Sequence, residues 1–116
     1  MFKVIKEVEV SKDILKVMVE NGRQHLQDRK NRLDLLDLDT LTIWKSFFVD
    51  KDHADGIEVH IITDKADIII CNVRDRSAIT VLHARPMQIK RYVNGRVPHD
   101  LWERAKLNVD LGLNEI

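Results

Sequence analysis

The residues best equipped for chemistry fall within ten positions, His83-Ala84-Arg85-Pro86-Met87-Gln88-Ile89-Lys90-Arg91-Tyr92, with Arg96 a short way beyond. His83 and Arg85 are two residues apart at the end of an apolar run that reads as a strand, so both project to the same side. Guanidinium groups hold phosphate through two parallel hydrogen bonds, lysine supplies a point charge, and tyrosine stacks on a base or positions a proton. Two chemistries use such a set. One is phosphate recognition on an RNA-binding surface, with Arg85, Lys90, Arg91 and Arg96 as the binding cations. The other is metal-independent phosphodiester cleavage, in which an arginine stabilises the pentavalent phosphate while histidine, lysine or tyrosine moves protons. The same segment also fits a sheet edge that carries solvated charge, with the Tyr92 ring packed beneath it.

Other reactive types are sparse. The five histidines, His25, His53, His60, His83 and His99, contain no HExxH or other close helical pair, so no metal site is read from their spacing. His60, between Glu58 and Ile62, reads as a surface residue of a strand. There is no GxGxxG, P-loop or GxSxG, which removes the common nucleotide-binding and serine-hydrolase readings, and no cofactor is expected. Cys71 is the single cysteine, so neither an intrachain disulfide nor a cysteine-based zinc site is available. It lies in the most apolar stretch of the chain, where a thiol is ordinarily an inert core group.

The elements that must position these residues follow from periodicity. Phe2, Val4, Val8 and Val10 share a period-2 face, which predicts a half-buried edge strand. Ser11 suits an N-cap and Asp13 a first turn, and Ile14, Leu15, Met18, Gly22 and Leu26 recur at helical spacing, predicting a helix over about 12–32. The alternation of Leu and Asp over 33–39 suggests a turn or short extended piece. After it, Thr40 or Asp39 would cap a second helix with Leu41, Trp44, Phe47 and Phe48 recurring at three and four; these aromatics fit core or interface. Three strands then follow over 57–84, joined by short loops. The first alternates at its start and should be half-buried, while Ile68-Ile69-Ile70-Cys71 is apolar on both faces and should be central. Pro86 stops the ladder, and Met87 to Val93 fits either a short strand or a helical turn. Pro98 starts a last helix that Gly112 ends. The expectation is one α+β domain over 1–116, with an N-terminal strand and helices, a three- to four-stranded antiparallel meander over 57–84, and a C-terminal helix.

At the scale of the chain, 116 residues suffice for one core without staples, and 19 Lys plus Arg balance 19 Asp plus Glu. The zero dissolves when the chain is divided: residues 1–33 carry +3, 34–67 carry −6, 68–99 carry +5 and 100–116 carry −2. A uniformly basic nucleic-acid binder is excluded, but a dipolar chain still steers partners. The acidic segment could mimic phosphate toward a host protein, or it could face the basic segment within one fold. No apolar run is long enough to span a bilayer, and the N-terminus lacks the apolar core of a secretory signal, so no membrane partner and a cytoplasmic location in the host cell are expected.

The stretch ITVLHARPMQIKRY, preceded by EVHIITDKADIIICNV, resembles small uncharacterised proteins of Gram-positive phages and prophages, over about 57–93 and loosely in the terminal GLNEI. That resemblance implies a mobile-element origin. More distantly, helices followed by an antiparallel sheet with basic residues and a tyrosine at a strand end are similar to RelE and colicin-like ribonuclease toxins. That similarity implies Arg85 as the phosphate-binding arginine, Lys90 or Arg91 as the helper cation, Tyr92 as the terminal aromatic, and His25, with His83, as candidate acid or base. The chain departs from those toxins in its neutral total. Two functions are therefore expected: an interaction module that binds a host protein or RNA through a charged face, or a metal-independent endoribonuclease. A self-associating homo-oligomer is a third.

Overall fold

Five strands follow one another across a single antiparallel sheet in chain order, each paired with the next. They are β1 (Phe2–Val8), β2 (Ile43–Lys51), β3 (Ile57–Thr63), β4 (Asp67–Asn72) and β5 (Ser77–His83) in the computed structural model, which describes residues 2–25, 32–51 and 56–113. Helix α1 (Lys12–His25) and a 3-10 turn (Arg32–Leu35) lie between β1 and β2, and α2 (Pro86–Lys90) and α3 (His99–Asp110) follow β5. The α+β class, the leading strand, the meander and the C-terminal helix stand as the sequence implies, with the meander extended to five strands.

Each face of the sheet has its own core. On one, Leu15, Met18 and Val19 of α1 and Leu33 of the 3-10 turn pack on Val59, Ile61, Ile69, Cys71 and Val81. On the other, Ile89 of α2 and Leu101 and Ala105 of α3 pack on Phe47, Val49, Ile62, Ile68 and Ile70. Two covered faces explain two departures from expectation. The stretch over Leu41, Trp44, Phe47 and Phe48 is not a second helix; most of it is strand β2, with Phe47 turned to the α3 core and Phe48 to the α1 core. A strand covered on both sides loses its alternation, and its apolar positions then imitate helical spacing. For the same reason β3 is buried along both faces rather than half-buried.

The edge strand β1 also differs in detail. Its register with β2 slips between Val4 and Lys6, so Val4 packs into the α3 core while Val10 packs into the α1 core. The single face expected for the two is therefore split by a bulge.

Local signals set the remaining boundaries. Ser11 Oγ accepts the Ile14 N–H at 3.2 Å and caps α1. The expected extension of this helix over 26–31 lies outside the described residues. Pro86 occupies the start of α2, resolving 87–93 in favour of a helical turn. At the end of α3, Gly112 takes a φ of 68°, and the N–H groups of Gly112 and Leu113 bond back to Val109 and Asn108. That pairing closes the helix and needs a residue tolerant of the left-handed region. Buried Asn108 donates to the carbonyls of Ala66 and Ala84, at 3.3 and 2.8 Å, and ties α3 to the end of β5. Among the described residues, no helix is long and apolar enough to cross a membrane.

Candidate functional site

Strand β5 delivers the chain to α2, and Asn108 and Pro86 fix the angle at which it arrives. By strand alternation His83 lies on the side of Val81, toward α1, and its Nδ1 is 3.2 Å from Asp67 Oδ1. Burial raises the Asp67 carboxyl above its ordinary range, against the opposing pull of His83, Arg104 and Lys65. Arg85 precedes α2; its main-chain N–H donates to Gln88 Oε1 at 2.9 Å, and its side chain is exposed. Arg91 closes α2 and is exposed, as is Arg96. The five residues of α2 therefore separate the Arg85 and Arg91 backbones by about 9 Å, at a rise of about 1.5 Å per residue.

Lys90 and Tyr92 are tied to the protein instead. Lys90 Nζ donates to Gly95 O at 3.1 Å and stands 5.5 Å from the Trp102 ring centroid, stapling the 91–97 loop to α3. Tyr92 packs in the α3 core, with its ring 5.5 Å from that of Phe47. Its hydroxyl lies 2.6 Å from His60 Nδ1, and His60 Nε2 lies 2.9 Å from Glu58 Oε1, which Lys51 Nζ approaches at 3.4 Å. The surface position expected for His60 is overturned: His60 is 1% exposed and Glu58 7%.

Burial lowers the affinity of His60 for a proton more than Glu58 restores it, so the imidazole is neutral near pH 7. A carboxylate only accepts hydrogen bonds, which places the single ring hydrogen on Nε2 and leaves Nδ1 to accept from the Tyr92 hydroxyl. Both ring nitrogens of His60 are thereby partnered. Burial also pushes the Tyr92 phenol far above its ordinary range, so it keeps its proton. Cys71 is buried, and desolvation pushes its thiol up to about 12, which removes it as a nucleophile at neutral pH.

The structure thus brings Arg85, Lys90, Arg91 and Tyr92 to one stretch around α2, while His83 turns to the opposite face of the sheet from the Tyr92 hydroxyl. The side chain of His25 and the whole of His53 lie outside the described residues. Lys51, Glu58 and His60 were not selected from sequence. The only signal for them was the two-residue spacing of Glu58 and His60, which places both on one face of β3.

Where acids of the middle segment pair with a lysine or arginine among the described residues, the cation comes from outside the basic segment. Asp34 pairs with Arg23 at 3.5 Å, Asp39 with Lys16 at 3.6 Å, and Glu58 with Lys51. Among the described residues, none of Arg74, Arg76, Arg85, Lys90, Arg91 and Arg96 makes an ion pair. No group of three or more His, Cys, Asp or Glu side chains placed to hold a metal occurs among the described residues. No family model matches the chain, and no curated protein or solved structure matches it significantly.

Proposed function

We propose that this chain is a binding module, without chemistry of its own, that engages RNA phosphates through Arg85, Arg91 and Arg96. The observation that carries the reading is the division of charge. Asp34, Asp39 and Glu58 of the acidic segment pair with cations of α1 and β2, while the arginines around α2 remain exposed and outside any ion pair among the described residues. Exposed guanidinium groups at the two ends of a short, firmly held helix and on the loop beyond it suit bidentate contact with separate phosphates. The Tyr92 ring packs against Phe47 and His60, which leaves the contact to the arginines, with backbone and tolerant of sequence. Lys90, Tyr92 and the network behind it hold the platform; the arginines touch the partner. On the resemblance of 57–93 to phage and prophage proteins, the RNA would be that of the host.

The endoribonuclease reading asks Arg85, His83 and Tyr92 to act on one phosphate. It is favoured only by the 2.6 Å Tyr92–His60 contact, whose phenol holds its proton. Capture from host lysate, with and without nuclease treatment, tests both. Recovery of RNA that disappears with nuclease and with the triple Arg→Ala variant supports the proposal. A captured protein that survives nuclease contradicts it in favour of a protein partner. Cleavage of RNA in EDTA, lost in Arg85→Ala, replaces it with the enzyme.

A further inference from the structure

An open groove of about 610 Å³ runs between α1 and the sheet, on the face opposite α2 and α3. Its walls are apolar, from Phe48 at the floor to Ile14, Val17 and Val73 at the lips, and its charged residues are Asp13 and Arg76. Ile14 is 54% exposed, Val17 57% and Val73 40%. Helix α1 therefore carries two apolar stripes. Leu15, Met18 and Val19 serve the core, and Ile14 and Val17 face outward, where no core residue among the described ones covers them.

The two charges sit at opposite ends of the groove. Asp13 is in the first turn of α1. Arg76 belongs to the β4–β5 turn, where its carbonyl accepts from Asn21 Nδ2 at 2.9 Å. Asn21 lies eight residues along the helix from Asp13, about 12 Å at a rise of about 1.5 Å per residue. Neither Asp13 nor Arg76 makes an ion pair among the described residues.

We propose that a second copy of this chain occupies the groove through a two-fold axis, with α1 antiparallel to the α1 of its partner. A two-fold interface must be complementary to itself. An apolar strip with one anion at one end and one cation at the other meets that condition: rotation sets Asp13 of each copy against Arg76 of the other and brings the two Val17 side chains together at the centre, with Ile14 beside each Asp13. Other occupants fit the ends less well. An anionic amphiphile would meet Asp13, and a basic helix would meet Arg76. A net charge of zero adds no long-range repulsion between copies. The arginines around α2 are on the other face, so pairing leaves them exposed in both copies, and the inference stands independently of RNA binding.

Sedimentation of the full chain across concentrations up to about 1 mM tests this. The wild type should be a reversible dimer. Asp13→Arg alone and Arg76→Asp alone should each raise the dissociation constant by about tenfold or more, because two favourable pairs per dimer become two repulsive ones. The double variant should return close to wild type. Asp13→Arg also opposes the helix dipole, a cost that the double variant keeps, so recovery of dimer can come only from the restored pair. Val17→Glu should give a folded monomer, with folding checked by circular dichroism. A wild type that stays monomeric throughout, single reversals that leave the dimer unchanged, or a double variant no better than the singles would each overturn the proposal.

Discussion

The hydroxyl of Tyr92 ends on a neutral imidazole inside the protein, and that bond decides the residue's role. Removing it in Tyr92→Phe leaves His60 Nδ1 buried without its donor, at a cost of about 1–3 kcal/mol. Urea titration should show a lower midpoint at unchanged slope, with the salt dependence of RNA binding unaltered. A catalytic tyrosine would lose activity without losing stability. His60 also makes stability depend on pH. Its affinity for a proton is lowered by burial, so below its ordinary value of 6.5 the unfolded chain takes up a proton that the folded chain refuses. Stability therefore falls as pH drops through about 6.5, until the folded imidazole itself titrates. The raised carboxyl of Asp67 acts in the opposite sense, since the folded chain protonates it first on acidification. Subtracting the profile of His60→Gln from that of the wild type isolates the histidine, and the difference should be flat above neutrality and steepen below it. The residue types of the 83–92 cluster were legible in sequence. The partner of Tyr92 was not, because His60 lies 32 positions away and is brought there only by the register of β3 and the path of the chain after α2.

Helix α1 is placed by a glycine. A Cβ at Gly22 would stand 2.3 Å from the Ala78 carbonyl oxygen and 2.9 Å from Leu33 Cδ1, so α1 meets the edge strand β5 at a distance only glycine permits. Gly22→Ala should therefore destabilise the protein by about 1–3 kcal/mol by overpacking, although alanine alone would strengthen a solvent-exposed helix by about 1 kcal/mol. A variant at least as stable as wild type in thermal or urea unfolding would show that the approach is looser than this. At this scale, elements with one covered face were readable from sequence. The Ser11 cap, the inner stripe of α1, the Pro86 break and the Gly112 end all carry local signals. Strand β2 was not readable, because Phe47 and Phe48 face different cores and together copied a helix. The bulge in β1 was hidden too, since it depends on pairing with β2.

Across the whole molecule, the balance of 19 cations and 19 anions describes a division of labour. Lys16 and Arg23 of α1 and Lys51 of β2 answer three acids of the middle segment, and the arginines of the stretch 68–99 face outward around α2 and the β4–β5 turn. The segmental charges were plain in the sequence, but whether opposite segments met each other was decided by the fold, which lays α1 beside Asp34 and Asp39 and carries the arginines to other surfaces. The direct test is the salt dependence of RNA affinity, measured by fluorescence anisotropy between about 50 and 200 mM salt. Each phosphate neutralised on a single strand contributes about 0.7 to the slope of log affinity against log salt, so replacing Arg85, Arg91 and Arg96 together should flatten that slope by about 2. Replacing the ion-paired Lys16 and Lys45 should leave it unchanged. An affinity indifferent to salt, or a slope that the three arginines do not alter, would contradict RNA binding through this surface.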